Sequence, residues 1–126
     1  MRLDDIEAKL SPAIGEYIKD VYHSLRDKPY PGVLCLDDVQ FKATLKARDR
    51  KTTPEAAYNI PNNTLYFRNR PTEDGVAHEV EHWAQAQRAG PDVFIGLLQS
   101  EKNFREIEQA SREAALANRH KLTGKY

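Results

Sequence analysis

The chain has a single cysteine, Cys35, so no disulfide can form within it. Its stability must come from packing and from whatever a bound metal adds, which suits a reducing cytoplasm. It has no charge excess: 19 Lys and Arg balance 19 Asp and Glu. That balance excludes the basic footprint that grips nucleic acid, and no acidic tail is present. No apolar run reaches membrane-spanning length. The opening Met1-Arg2-Leu3-Asp4-Asp5-Ile6 carries two acids where a secretory leader needs an apolar stretch. The expectation is a cytoplasmic chain with neither nucleic acid nor membrane among its partners. Repeats, low-complexity tracts and an internal linker are also lacking. With 126 residues, the chain is expected to form one domain over 1–126 with a modest core.

What is present is periodicity. Ser11 to Asp27 reads as a helix capped by Ser11 with Pro12 in its first position; Ile14, Tyr17, Ile18, Val21, Tyr22 and Leu25 form its apolar stripe. Pro29, Pro31 and Gly32 end it. Val39, Phe41, Ala43, Leu45 and Ala47 alternate with polar residues, which predicts a strand with one wet face. The basic stretch Lys46 to Lys51 reads as its solvated end and a loop. Tyr58-Asn59-Ile60 and Leu65-Tyr66-Phe67 flank Pro61-Asn62-Asn63, a hairpin signal. A helix is expected from about Gly75 to Arg88, stopped by Gly90-Pro91. A short apolar segment, Val93 to Leu98, follows. A last helix runs from about Asn103 to His120, with Asn103 as cap. This order predicts an α+β domain.

The chemistry concentrates in His78-Glu79-Val80-Glu81-His82. Residues four apart on a helix lie one turn above each other on one face, so the two imidazoles can grip a single ion. Glu79 projects about a quarter-turn away, where it can reach a water on the metal without displacing it. Zinc lowers the pKa of such a water, and the carboxylate can take its proton. Val76, Val80 and Trp83 share the opposite side of the helix, which predicts a packed Val/Trp face and histidines turned to a cleft. Trp83 is read as core and Cys35 as a small buried hydrophobe.

A catalytic zinc takes three protein ligands and keeps one position open. His23 and His120 are distant in sequence, while the last helix and its approach offer Glu101, Glu106, Glu108 and Glu113. On a helical wheel Phe104, Ile107, Glu108, Ser111, Ala114 and Ala115 share one face, and Glu106 and Glu113 fall opposite. A carboxylate on a packed face needs a partner, which selects Glu108 as the third ligand. Tyr58 and Tyr66 are candidate oxyanion or substrate contacts, although each also fits a sheet or core aromatic.

The HExxH sequence followed by a helix-borne glutamate resembles the gluzincins, the thermolysin-like clan of zinc peptidases. Glu108-Gln109-Ala110-Ser111 is similar to their Glu-x-x-Ser/Ala segment, in which a small residue lets two helices pack. An aspartate often follows in that clan; here the residue is Arg112. The short length resembles the minigluzincins, and Asn63 to Phe67 resembles the strand that borders the clan's cleft, where an extended substrate pairs with the backbone.

The resemblance implies a zincin-like α+β domain with an N-terminal helix, a small mostly antiparallel sheet, the HExxH helix and a ligand-bearing C-terminal helix. It implies a Zn2+-dependent endopeptidase acting on a peptide or protein substrate, with Glu79 as base and His78, His82 and Glu108 as ligands. His120 becomes a candidate second electrophile, although it also fits a cation at a helix C-terminus. Self-occlusion of the cleft by the segment Lys121 to Tyr126 is a further expectation. The competing readings are a zincin-fold module that holds zinc without turnover, and an interaction domain in which the motif is accidental.

Overall fold

The computed structural model describes residues 2–45 and 55–126. Among them are five α-helices: α1 Leu3–Val21, α2 Asp38–Leu45, α3 Glu73–Ala89, α4 Pro91–Leu98 and α5 Glu101–Asn118. Three strands, β1 Gly32–Leu36, β2 Ala56–Asn59 and β3 Thr64–Arg68, form one sheet in the order β1-β3-β2. The domain is therefore α+β. The sheet is mixed and not mostly antiparallel: β2 pairs antiparallel with β3, but β1 runs parallel to it, with Val33 opposite Leu65 and Cys35 opposite Phe67. Both faces of β2 and β3 are covered, so those strands do not alternate between wet and dry, whereas Leu34 on the edge strand β1 is exposed.

One face packs on α1 and α3 through Cys35, Ala56, Tyr58, Leu65 and Phe67. The other receives α2, where Phe41 and Leu45 meet Ala57 and Tyr66. Residues 39–47 were expected in a strand, and 39–45 of these lie among the described residues. They form a helix instead, because Phe41 and Leu45 are buried one turn apart while Val39 is 78% exposed. Its start is a reciprocal cap: Gln40 N–H donates to Asp37 Oδ1 at 2.8 Å, and Asp37 N–H donates to Gln40 Oε1 at 3.3 Å. Ala47 and the basic stretch from Lys46 to Lys51 lie outside the described residues.

Helix α1 begins at Leu3, eight residues before the expected Ser11, and Pro12 lies inside it. Ile6 and Leu10 extend the buried stripe of Ala13, Ile14, Tyr17 and Ile18 backwards, and that burial outweighs the backbone bond that Pro12 cannot donate. The hairpin forms as expected, with Asn63 at φ 50° and its Oδ1 accepting from Tyr58 Oη at 2.6 Å. Cys35 is buried, and burial followed by the charge of Glu7 pushes its thiol up to about 11.

Thr72 caps α3, its hydroxyl oxygen accepting from Gly75 N–H at 3.0 Å. Gly90, at φ 91°, ends α3 in a conformation that favours glycine, and Pro91 starts α4 at once. The apolar segment from Val93 to Leu98 thus belongs to a helix. Ser100, not Asn103, caps α5: its hydroxyl accepts from Asn103 N–H at 3.4 Å. Val76, Val80 and Trp83 of α3 are fully buried, as the packed face required. Helix α5 packs along α3, with Ser111 and Ala115 buried between them and Glu106 and Glu113 exposed.

A 3-10 turn, Arg119–Leu122, follows α5. Leu122 is fully buried in the main core. Lys121 pairs with Asp20 at 3.2 Å, Lys125 with Glu16 at 3.8 Å, and Thr123 Oγ1 donates to Glu73 Oε2 at 3.0 Å. The segment expected to reach the cleft is thus anchored to α1 and to the first turn of α3.

Candidate metal centre

One turn of α3 presents His78 and His82 together, with their Nε2 atoms 3.1 Å apart. Helix α5 brings Glu108 to both: Oε2 lies 3.2 Å from His78 Nε2, and Oε1 lies 3.0 Å from His82 Nε2. Three side chains thus converge from two helices, each imidazole meeting a different oxygen of the one carboxylate. Ligands about 2.0–2.1 Å from a tetrahedral zinc lie roughly 3.3 Å from one another. The two Nε2 atoms, 3.1 Å apart, are close to that figure, and the Glu108 oxygens lie 3.0 and 3.2 Å from them. Two imidazoles and a carboxylate are also a donor set suited to zinc and leave a fourth position free. Glu79 is buried beside the pair; one oxygen or nitrogen from each of His78, Glu79 and His82 lies within 4.8 Å of the others.

The electrostatics follow from this crowding. Burial works against a charged His82, but the hydrogen bond to Glu108 and the charges of Glu79 and Glu108 outweigh it and raise the imidazole's pKa. Burial likewise opposes ionisation of Glu108, yet the hydrogen bonds from His78 and His82 hold its carboxyl well below the usual carboxylate range. A proton and a metal ion compete for the same lone pairs here.

Behind the three converging side chains, His82 Nδ1 lies 3.0 Å from Gln85 Oε1 and 3.1 Å from Ser111 Oγ. Neither contact was foreseen. The signal available was spacing: Gln85 lies three residues after His82, and Ser111 three after Glu108. Ser111 had been read only as a small residue at a helix contact.

The other candidates lie elsewhere. Tyr66 is buried on the α2 side of the sheet, with its hydroxyl accepting from Asn62 Nδ2 at 2.8 Å, so the sheet separates it from α3. Tyr58 faces the main core. His120 is exposed in the 3-10 turn after α5. The strand expected to border the cleft, β3, is the central strand and pairs on both edges, so its backbone has no ladder left for a substrate. Glu81, inside the motif but on the flank of α3 away from Glu79, is buried: it accepts from Tyr22 Oη at 3.4 Å and pairs with Arg88 at 3.2 Å.

No family model, no curated protein and no solved structure matches the chain.

Proposed function

We propose that this domain is a zinc-dependent peptidase of gluzincin type, with a zincin-like arrangement of α3 and α5. The observation that carries the proposal is the triangle of His78 Nε2, His82 Nε2 and the Glu108 carboxylate, with Glu79 buried beside it. His78, His82 and Glu108 would hold Zn2+. When bound there, zinc supplies a lowered pKa for water and polarisation of a substrate carbonyl. Glu79 takes the proton of the attacking water and returns it to the departing amine. The neutral imidazoles hold the geometry, and α5 delivers the one anionic ligand. Substrates are peptides or proteins. Occlusion by residues 121–126 would require Leu122 to leave the core, so the proposal contains no latency step.

The test is zinc content of untagged protein together with a peptide-library screen. About one zinc per chain and cleavage are expected, and Glu79→Gln should keep the zinc and lose activity by roughly 10²–10⁴-fold. Zinc with no cleavage of any peptide would transfer the site to a module that holds metal without turnover. Absence of tight zinc binding by the wild type overturns the proposal.

A further inference from the structure

The rear of His82 is built as carefully as its front. Gln85 Nε2 donates to the carbonyl of Ile107 at 3.2 Å. A carbonyl only accepts, so the NH2 of this amide must face Ile107, and Oε1 is the atom that faces His82 Nδ1 at 3.0 Å. An amide oxygen only accepts as well, so Nδ1 carries the hydrogen and the lone pair of neutral His82 is placed on Nε2. That is the nitrogen which meets His78 and Glu108. Ser111 Oγ, fully buried and 3.1 Å from the same Nδ1, offers that hydrogen a second acceptor. Ile107 directly precedes Glu108, so neighbouring residues of α5 supply both the ligand and the anchor that fixes Gln85.

Resting on the zinc reading above, we propose that Gln85 is a positioning residue. It locks His82 into the tautomer that offers Nε2 to the metal, and it ties that choice to the helix that delivers Glu108. Hydrogen-bonded partners behind a ligating histidine set both its tautomer and its orientation.

The experiment compares wild type, Gln85→Leu and Gln85→Glu. It measures zinc affinity by competition with a chromophoric chelator, nitrogen-15 imidazole spectra of the zinc-loaded proteins, and the thermal midpoints of the metal-free ones. Glutamate can still accept from Nδ1–H but cannot donate to the Ile107 carbonyl; leucine can do neither. Gln85→Leu should weaken zinc binding roughly 10–100-fold and lose the exchange-protected Nδ1–H signal of His82. Gln85→Glu should keep both the affinity and the signal, although its midpoint falls with the lost interhelix bond. If Gln85 served only to join the helices, the two variants would lose zinc affinity alike. The proposal is overturned by wild-type affinity in Gln85→Leu, or by Gln85→Glu falling as far as Gln85→Leu. Should the leucine variant fail to fold, a Gln85→Glu protein without the Nδ1–H signal overturns it. A wild type that binds no zinc removes the underlying reading, an outcome distinct from either of these.

Discussion

Three carboxylates crowd α3: Glu79 and Glu81 are buried and Glu108 is half-buried, and the surroundings of Glu108 and Glu81 differ in kind. Glu108 meets His78 and His82, whose nitrogens can hold either a proton or a metal. Glu81 meets the Tyr22 hydroxyl and the Arg88 guanidinium, and the guanidinium also lies over the Tyr22 ring at 5.7 Å. Burial, then the charge of Glu81, keeps the Tyr22 phenol protonated, and the guanidinium never gives up its proton. The partners of Glu81 are therefore permanent donors, and that cluster is closed to a metal. The partners of Glu108 are exchangeable, and that cluster is open. A part- or fully buried carboxylate thus marks a site of chemistry or a structural clamp according to whether its neighbours can surrender their protons.

The comparison breaks most visibly at Glu108. Glu108→Ala should abolish tight zinc binding, whereas Glu106→Ala and Glu113→Ala, both on the exposed face of α5, should match wild type by chelator competition. Equal loss in all three would show that bulk acidity, not the triangle, holds the metal.

Next in size is the clamp. Glu81→Ala leaves the Tyr22 hydroxyl buried without its acceptor, which should cost about 1–3 kcal/mol in urea unfolding of the metal-free protein. Zinc affinity should not change. A variant that loses zinc while remaining as stable as wild type would reverse the two roles.

A smaller effect separates the clusters by pH. His82 is raised above 6.5, so its contribution to stability is complete below that value and fades as pH climbs through the raised pKa. Glu108 is lowered from 4.5, so its contribution is complete above that value and fades as pH drops through the lowered pKa. The pair should stabilise the metal-free chain most between 4.5 and 6.5. Accordingly the gap in thermal midpoint between wild type and Glu108→Ala should narrow from pH 6 to pH 9, while zinc affinity rises over the same range. A gap constant with pH would mean that the His–Glu contacts do not contribute.

A final test, on α2, sets a negligible effect beside a large one. Val39→Ser should change stability by no more than about 0.5 kcal/mol, since Val39 is exposed, and Phe41→Ala should cost about 3–5 kcal/mol. A strand with Val39 and Phe41 on one buried face would make both costly.

That pair also shows how far the sequence could be read. Phe41 and Leu45 belong equally to a period of two and to a helical turn, so exposed Val39 and Ala43 completed a false alternation. The Asp37/Gln40 cap was the signal that distinguished them. Strand β1 is five residues long, has no polar residue to mark its wetter face, and pairs with a strand distant in sequence, so no local pattern announced it. Helix α3 was legible because Val76, Val80 and Trp83 fill one face while His78 and His82 share another. The wheel singled out Glu108 because Ser111 and Ala115 fix the inner face of α5. The three-residue spacing could suggest Gln85 behind His82, but its bond to Ile107 and that of Glu81 to Tyr22 cross to other elements, and spacing within one helix carries no information about those.

The seat of Leu122 bears on the order in which the molecule can be assembled. Residues 119–126 lie against α1 and the start of α3, so the earliest and latest described parts of the chain meet. During synthesis α3 and its histidines emerge well before Glu108, and Glu108 before Leu122. Until Leu122 arrives, the stripe on α1 has no cover on that side, and contacts so distant in sequence form only after the intervening loop entropy has been met. A nascent chain stopped after Asn118 should remain sensitive to protease, and one extended to Tyr126 should become resistant. The candidate metal centre would then rest on a closed core only after residues 119–126 have docked, so the side chains of the site come together before the fold that supports them is finished.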